Sequence, residues 1–401
     1  MIAKAMEPFV FGDPGIGGMF DVVAKMVEEY GEENVYNFSI GNPSVPAPDE
    51  VKDAIKAILD EEPMKRIHGY CPSSSGDAGA REAVADHLNR LHGTSFTAEN
   101  IMMTVGAAGG LNVLFKAILD PGTEVITFAP FFGDYAHYVH NFGGELLVVP
   151  PNVPSFQPDA AAMEALINEN TRAVIINSPN NPTGVIYSEE SLKEIGEVLS
   201  RKSAEYGHAI YLVADEPYRE LAYDGAVVPY ATKYYDNTIV AYSYSKSLSL
   251  PGDRIGYLVF PNEIEQFEAM KKAAENAIRM LGFINAPSLT QLAVARCIDA
   301  STNIAAYDKN RKALYSGLKE IGYECAYPEG AFYLWMKTPL EDDAEFAQLA
   351  LKHRIVVVPG KAFGCPGYVR VAYCVNYDMI GNSMPAFKEL MEDIRDNYLE
   401  K

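Results

Sequence analysis

From about residue 100 the chain alternates short apolar runs rich in β-branched residues with segments whose apolar positions recur at helical spacing. The apolar runs at 101–105, 124–128, 145–149, 173–177, 210–214, 238–242 and 255–260 predict strands. The segments 108–118 and 189–203 predict crossover helices between them. Such alternation predicts an α/β unit built on a mostly parallel sheet with helices on its faces. From 264 to 322 the pattern is helical, interrupted at Asn285-Ala286-Pro287, and shorter strands return at 331–336, 355–358 and 369–373. A second, smaller α+β unit is therefore expected near the C-terminus.

Composition narrows the class. At 401 residues the chain has room for a large domain and a smaller companion, and 48% hydrophobic with 22% charged residues is the balance of a globular protein. The formal net charge of −21, without a Lys/Arg block, argues against nucleic acid or an anionic bilayer as partner and leaves a small molecule. Five scattered cysteines without a C-x-x-C pair suggest reduced thiols, and no apolar run is long enough to span a bilayer, so a cytoplasmic protein is expected. His137 and His140 stand three apart, but no carboxylate or cysteine motif accompanies them and no metal site is expected.

In parallel α/β sheets ligands bind beyond the carboxyl ends of the strands, so the residues just after each apolar run carry the chemical information. After the first comes Gly106-Ala107-Ala108-Gly109-Gly110, small residues opening a helix. Such a turn serves either close packing or phosphate binding through bare N–H groups and the helix dipole. Its spacing is not G-x-G-x-x-G, which argues against a dinucleotide-binding dehydrogenase. After the fourth comes Asn177-Ser178-Pro179-Asn180-Asn181-Pro182-Thr183-Gly184, a turn that fixes asparagine side chains. After the fifth, Asp215-Glu216-Pro217-Tyr218 sets a carboxylate at a strand end, where it either caps the next helix or serves a ligand. After the sixth comes SYSKSLSLPGDRIG, residues 243–256, with Lys246 among hydroxyls and Arg254 eight residues on. A lysine of lowered pKa forms Schiff bases, and serines with an arginine suit a phosphate dianion. A Schiff-base lysine, a phosphate cradle and a strand-end carboxylate together meet the needs of pyridoxal phosphate.

The stretch 243–256 resembles the lysine signature of the class I/II pyridoxal-phosphate-dependent aminotransferases. The resemblance runs in order through Tyr70, Gly76 and Arg81-Glu82-Ala83, the Gly106 turn, Asn180 to Gly184, Asp215 to Tyr218, the lysine motif and Gly367-Tyr368-Val369-Arg370-Val371. It implies the type I fold of that cofactor's transferases. In that fold residues 1–52 contribute to a small domain and the active site, 53–295 form the large cofactor domain, and 296–401 complete the small one.

The resemblance also implies roles. Lys246 would hold pyridoxal 5′-phosphate covalently and then move a proton at the substrate Cα. Asp215 would keep the pyridine nitrogen protonated, while Asn181 and Tyr218 would bond the phenolic oxygen. Phosphate would rest on Arg254, Ser243, Ser245 and the N–H groups opened by Gly106 at Ala107 and Ala108. Phe132 would stack on the ring, with Phe131 in the core. Arg370 and the Gly41 backbone would clamp the substrate α-carboxylate. Tyr70 would reach the cofactor phosphate of a neighbouring subunit, making the active unit a homodimer. The implied reaction passes an amino group from an L-amino acid to a 2-oxo acid in ping-pong fashion.

Members acting on aspartate carry a lysine near the Gly106 turn, where this chain has Ala108, while Arg279 and Lys361 remain candidates for contact with a substrate side chain. The same fold also serves carbon-sulfur lyases and aminocyclopropane carboxylate synthases, which release electrons from the cofactor by a different route. A non-enzymatic cofactor-binding regulator is less favoured, since no basic DNA-binding segment precedes residue 40.

Overall fold

The computed structural model describes residues 1–11 and 15–399. Seven strands form its main sheet: β1 Ile101–Thr104, β2 Glu124–Phe128, β3 Glu145–Val149, β4 Thr171–Asn177, β5 Tyr211–Asp215, β6 Thr238–Ser243 and β7 Gly256–Val259. Their order across the sheet is β1-β7-β6-β5-β4-β2-β3. All neighbours are parallel except β7, which runs antiparallel to both β1 and β6.

Continuous apolar runs suit this sheet because helices cover both faces. Alternate residues of β5 show the split. Leu212 and Ala214 join a core with Ile195 and Leu199 of helix Glu189–Tyr206 and Val84 and Leu88 of helix Ala78–His92. Val213 points into the opposite core with Leu111, Leu114 and Phe115 of helix Gly106–Ile118 and Ile278 of helix Phe267–Met280. Local signals set the helix ends: Asp77 and Ser188 accept from backbone N–H groups in the first turns, and Gly93 and Gly207 end the helices at φ 66° and 73°.

A second sheet runs in the order Val358–Pro359, Tyr368–Ala372, Tyr333–Lys337, Glu324–Cys325, antiparallel throughout. Phe346 and Phe387, from helices Asp343–Lys352 and Tyr377–Ile394, share its core. Tyr36–Asn37 pairs in parallel with Ile355–Val356, and Ala372 N–H donates to the Phe38 carbonyl at 2.9 Å, so the N-terminal part is sewn to the C-terminal unit. The expected boundaries at 52 and 295 fall inside helices Asp49–Glu61 and Ser288–Arg296, which pack on each other.

The carboxyl ends of β4, β5 and β6 lie side by side, with Asn177 opposite Asp215 and Asp215 opposite Ala241. This register brings the polar residues that follow three apolar runs to one edge of the sheet, below the second unit.

Candidate active site

A cavity of about 320 Å³ opens at that edge, within the range of small-molecule sites. Its lining includes Gly41, Ala107, Ala108, Phe132, Asn181, Asp215, Tyr218, Ser243, Ser245, Lys246, Arg254 and Arg370. Residues separated by hundreds of positions in the chain thus share one chamber.

Lys246 sits on the short helix Tyr244–Ser247, which starts where β6 ends because Ser243 Oγ accepts from the Ser245 N–H at 3.2 Å. Its Nζ donates to the Gly41 carbonyl at 2.7 Å and lies 5.1 Å from the Phe332 ring centroid. Burial lowers its pKa to about 8, aided by the Arg370 and Arg254 charges and opposed by Cys374. Near neutrality a usable fraction is therefore the free amine, the form that attacks a carbonyl. The Gly41 contact made here uses the carbonyl, not the N–H expected to serve a substrate carboxylate.

Asp215 closes β5. Tyr135 donates to Oδ2 at 2.5 Å, the Asn177 side chain donates to the Asp215 backbone carbonyl at 2.8 Å, and Oδ1 is buried with no partner. Burial raises the carboxyl pKa to about 7, against the Tyr135 hydrogen bond and with the help of neighbouring Glu216. An unpaired carboxylate oxygen is costly in such a place unless a cationic N–H meets it. A protonated pyridine nitrogen would supply that partner.

The phosphate-type cradle lines the same chamber. Gly106 takes φ 76° to open helix Gly106–Ile118, leaving the first N–H groups of that helix without intrahelical acceptors. Arg254, itself at φ 51°, lies against this turn: its guanidinium donates to the Pro251 carbonyl at 3.0 Å and the Val105 carbonyl at 3.4 Å. A Cβ on Gly106 would stand 3.1 Å from Arg254 Nη2, and one on Gly256 would collide with the Tyr242 carbonyl. Both glycines keep room for the arginine and the helix end to approach a common ligand. Ser243 Oγ and Ser245 Oγ are 2.8 Å apart on the adjoining turn.

Arg370 is 4% exposed, so it is no solvated strand arginine. It donates to Asn181 Oδ1 at 3.0 Å and the Ser39 carbonyl at 2.7 Å, while Nε is buried without a partner. Asn181 is aimed by its own N–H, which donates to Asn177 Oδ1 at 2.7 Å. The Tyr218 and Tyr333 hydroxyls lie 3.0 Å apart. Phe132 lines the cavity and Phe131 does not.

Three candidates stand outside this chamber. Tyr70 is 85% exposed, and Arg279 and Lys361 are also exposed, the last with its N–H on Asp343. Reading the sequence missed Asn177, Tyr135 and Tyr333. Asn177 lay inside a motif already singled out, and Tyr135 follows Phe132 by three residues, but nothing local marks Tyr333.

The unfilled Asp215 oxygen, the cationic helix-end cradle and the desolvated lysine form a donor set that fits pyridoxal phosphate. Residues 33–383 match the model of the class I and II aminotransferases, and the chain belongs to that family. It has the type I fold and transfers amino groups with pyridoxal phosphate as cofactor. It is similar to a probable aspartate/prephenate aminotransferase of Thermus aquaticus, 33% identical over 88% of this chain and 90% of that one. An amino transferase from Eubacterium rectale superposes with a TM-score of 0.95 at 46% identity, covering 98% of this chain and 99% of that chain. The aspartate aminotransferase of Thermus thermophilus with maleate superposes at 0.84 with 27% identity, covering 97% and 100%.

Proposed function

We propose that this chain takes the amino group of an L-amino acid and gives it to a 2-oxo acid in two half-reactions at the cavity below the second unit. The carrying observation is that Lys246, the half-paired Asp215 carboxylate and the buried Arg370 fork line one chamber. Bound there, pyridoxal phosphate supplies the electron sink that lets the Cα proton of an amino acid leave.

The chain's residues do the rest. Arg370, fixed by Asn181 and Ser39, presents a planar fork to the α-carboxylate and so sets the Cα–H bond against Lys246 Nζ. Lys246, uncharged once its proton is lost near pH 8, would take the Cα proton and return it two bonds away, to the carbon across the amino nitrogen. Asp215, its Oδ1 free of other partners and its Oδ2 steadied by Tyr135, would keep the pyridine nitrogen protonated. Asn181 and Tyr218 hold the phenolic oxygen. Arg254, Ser243, Ser245 and the N–H groups of Ala107 and Ala108 hold the phosphate. Phe132 covers one ring face.

The active unit of this reading is a homodimer in the cytoplasm. Tyr70, matched to a phosphate contact yet 85% exposed, is then supplied across the interface; exposed Met64 and Met280 provide apolar surface for it. The absence of a membrane-length apolar helix and of disulfides among the described residues supports the compartment. In this reading the N-terminal segment contributes to the small domain, which the pairing of Tyr36–Asn37 with Ile355–Val356 supports.

The test is to mix the cofactor-loaded enzyme with each common L-amino acid and follow the visible cofactor band. The expected result is stoichiometric bleaching that a 2-oxo acid reverses. Continuous 2-oxo acid release with no acceptor present would instead make the enzyme a lyase.

A further inference from the structure

We infer that Tyr333 is a positioning residue for amino transfer, acting on the Tyr218 phenol through its hydroxyl and on the Arg370 fork through its ring. The inference rests on the reading of Tyr218 and Arg370 given above.

Tyr333 opens the strand Tyr333–Lys337 of the second sheet, next to the strand that carries Arg370, and is 2% exposed. Its hydroxyl meets that of Tyr218 at 3.0 Å, and among the described residues neither hydroxyl has another hydrogen-bond partner. Each phenol carries one proton, so only one can donate in this pair. When Tyr218 gives its proton to a phenolic oxygen in the cavity, its lone pair must take the proton of Tyr333. The order Tyr333 to Tyr218 to ligand oxygen follows, and each bond in such a chain polarises the next. The reverse order would tie the Tyr218 proton to Tyr333 and leave the ligand oxygen without that donor. Aromatic packing allows little escape, since Tyr218 stands edge-on to Tyr333 at 5.7 Å and to Phe332 at 5.4 Å.

The ring has a second contact. Its centroid lies 4.5 Å from Arg370 Cζ, a cation–π distance, with the Phe363 ring at 5.0 Å. The two hydrogen bonds to Asn181 and Ser39 orient the guanidinium, and the aromatic faces hold its plane. The hydroxyl also fills the space a side chain at position 41 would need, for a Cβ on Gly41 would collide with it. One residue thus touches the cofactor-tuning phenol, the carboxylate clamp and the glycine whose carbonyl receives Lys246.

Substitution separates the two effects, because Tyr333→Phe keeps the ring and removes the proton, whereas Tyr333→Leu removes both. The experiment compares cofactor-loaded wild type, Tyr218→Phe, Tyr333→Phe and Tyr333→Leu by the pH midpoint of the visible cofactor band. It adds kcat and KM in the half-reaction with the strongest-responding common L-amino acid. Loss of a donor to the phenolic oxygen makes the group that titrates the band more basic, so Tyr218→Phe is expected to raise the midpoint by about one pH unit. Tyr333→Phe should raise it by about half as much and leave KM within about twofold, and Tyr333→Leu should add about a tenfold rise in KM. A merely structural role would change melting temperature without moving the midpoint. If Tyr218→Phe shifts the midpoint and Tyr333→Phe does not, the inference is overturned; no shift in Tyr218→Phe overturns the reading of Tyr218 beneath it. Should the leucine variant fail to fold, Tyr333→Met removes the aromatic face at closer volume, and an unchanged KM there overturns the ring's part.

Discussion

At the scale of single residues, Asp215 is the clearest case of a group that is costly without its ligand. It is buried, its Oδ2 takes a short bond from Tyr135, and its Oδ1 takes none. Asp215→Ala is expected to cut turnover by about 10²-fold or more and to weaken cofactor binding. Tyr135→Phe keeps the carboxylate but lets it drift, so about a tenfold loss in kcat is expected, or about 1.4 kcal/mol of barrier. Steady-state kinetics under saturating cofactor measure both, and near-wild-type turnover in the alanine variant would remove Asp215 from the mechanism. The aspartate could be read from the sequence because it ends an apolar run. Tyr135 could have been read only by extending a helix from Phe132 and asking what its next inward position meets. Tyr333 could not, since it reaches Tyr218 across 115 positions through the packing of two separate sheets.

At the scale of elements, the β6 to β7 hairpin region does the positioning. Ser243 caps the lysine helix, Arg254 precedes β7, and Gly256 pairs with Ser243 so closely to the Gly106 turn that a Cβ would stand 3.0 Å from the Gly106 Cα. Gly256→Ala is therefore expected to destabilise the fold by about 1–3 kcal/mol and to loosen the cradle, seen as a lower melting temperature and weaker cofactor affinity. Unchanged affinity would mean that the cradle tolerates the shift. Strand β2 was legible to the residue because its run is largely apolar and buried from Val125 to Phe128, and β3, though only partly buried at the sheet edge, because its run from Leu146 to Val149 is continuously apolar. The start of β4 was not, as Thr171 and Arg172 are polar; Thr171 pairs with Glu124, and the register shifts past Arg172 before Ala173 pairs with Val125. Two-residue strands such as Tyr36–Asn37 have no periodicity to read at all.

At the scale of the whole molecule, an acidic chain with net charge −21 surrounds a chamber whose lining carries Lys246, Arg254 and Arg370. Two of the chamber's groups tie folding to pH. Asp215 keeps its proton up to about 7 in the fold against an ordinary 3.8, so the folded state binds more protons over that interval and stability falls as pH rises through it. Lys246 loses its proton near 8 in the fold against an ordinary 10.5, so stability rises as pH climbs between those values. In the proposed reading, cofactor would relieve both groups, by pairing the carboxylate and by engaging the amine. The gain in melting temperature on adding pyridoxal phosphate should accordingly peak near pH 7–8, and Asp215→Asn should flatten its acid side. A gain independent of pH would mean that these two groups are not the ones the ligand meets. Tyr70 belongs to this scale too: the family motif marked it, and a single chain leaves it on the surface, where the proposed homodimer would need it.

The most direct measurement of the account is to reduce the cofactor-loaded enzyme with borohydride, digest it and locate the pyridoxyl group by peptide mass spectrometry. One modified residue per chain is expected, Lys246, with Lys246→Ala unlabelled and inactive in both half-reactions. Label on another lysine, or amino transfer surviving in the alanine variant, would contradict it.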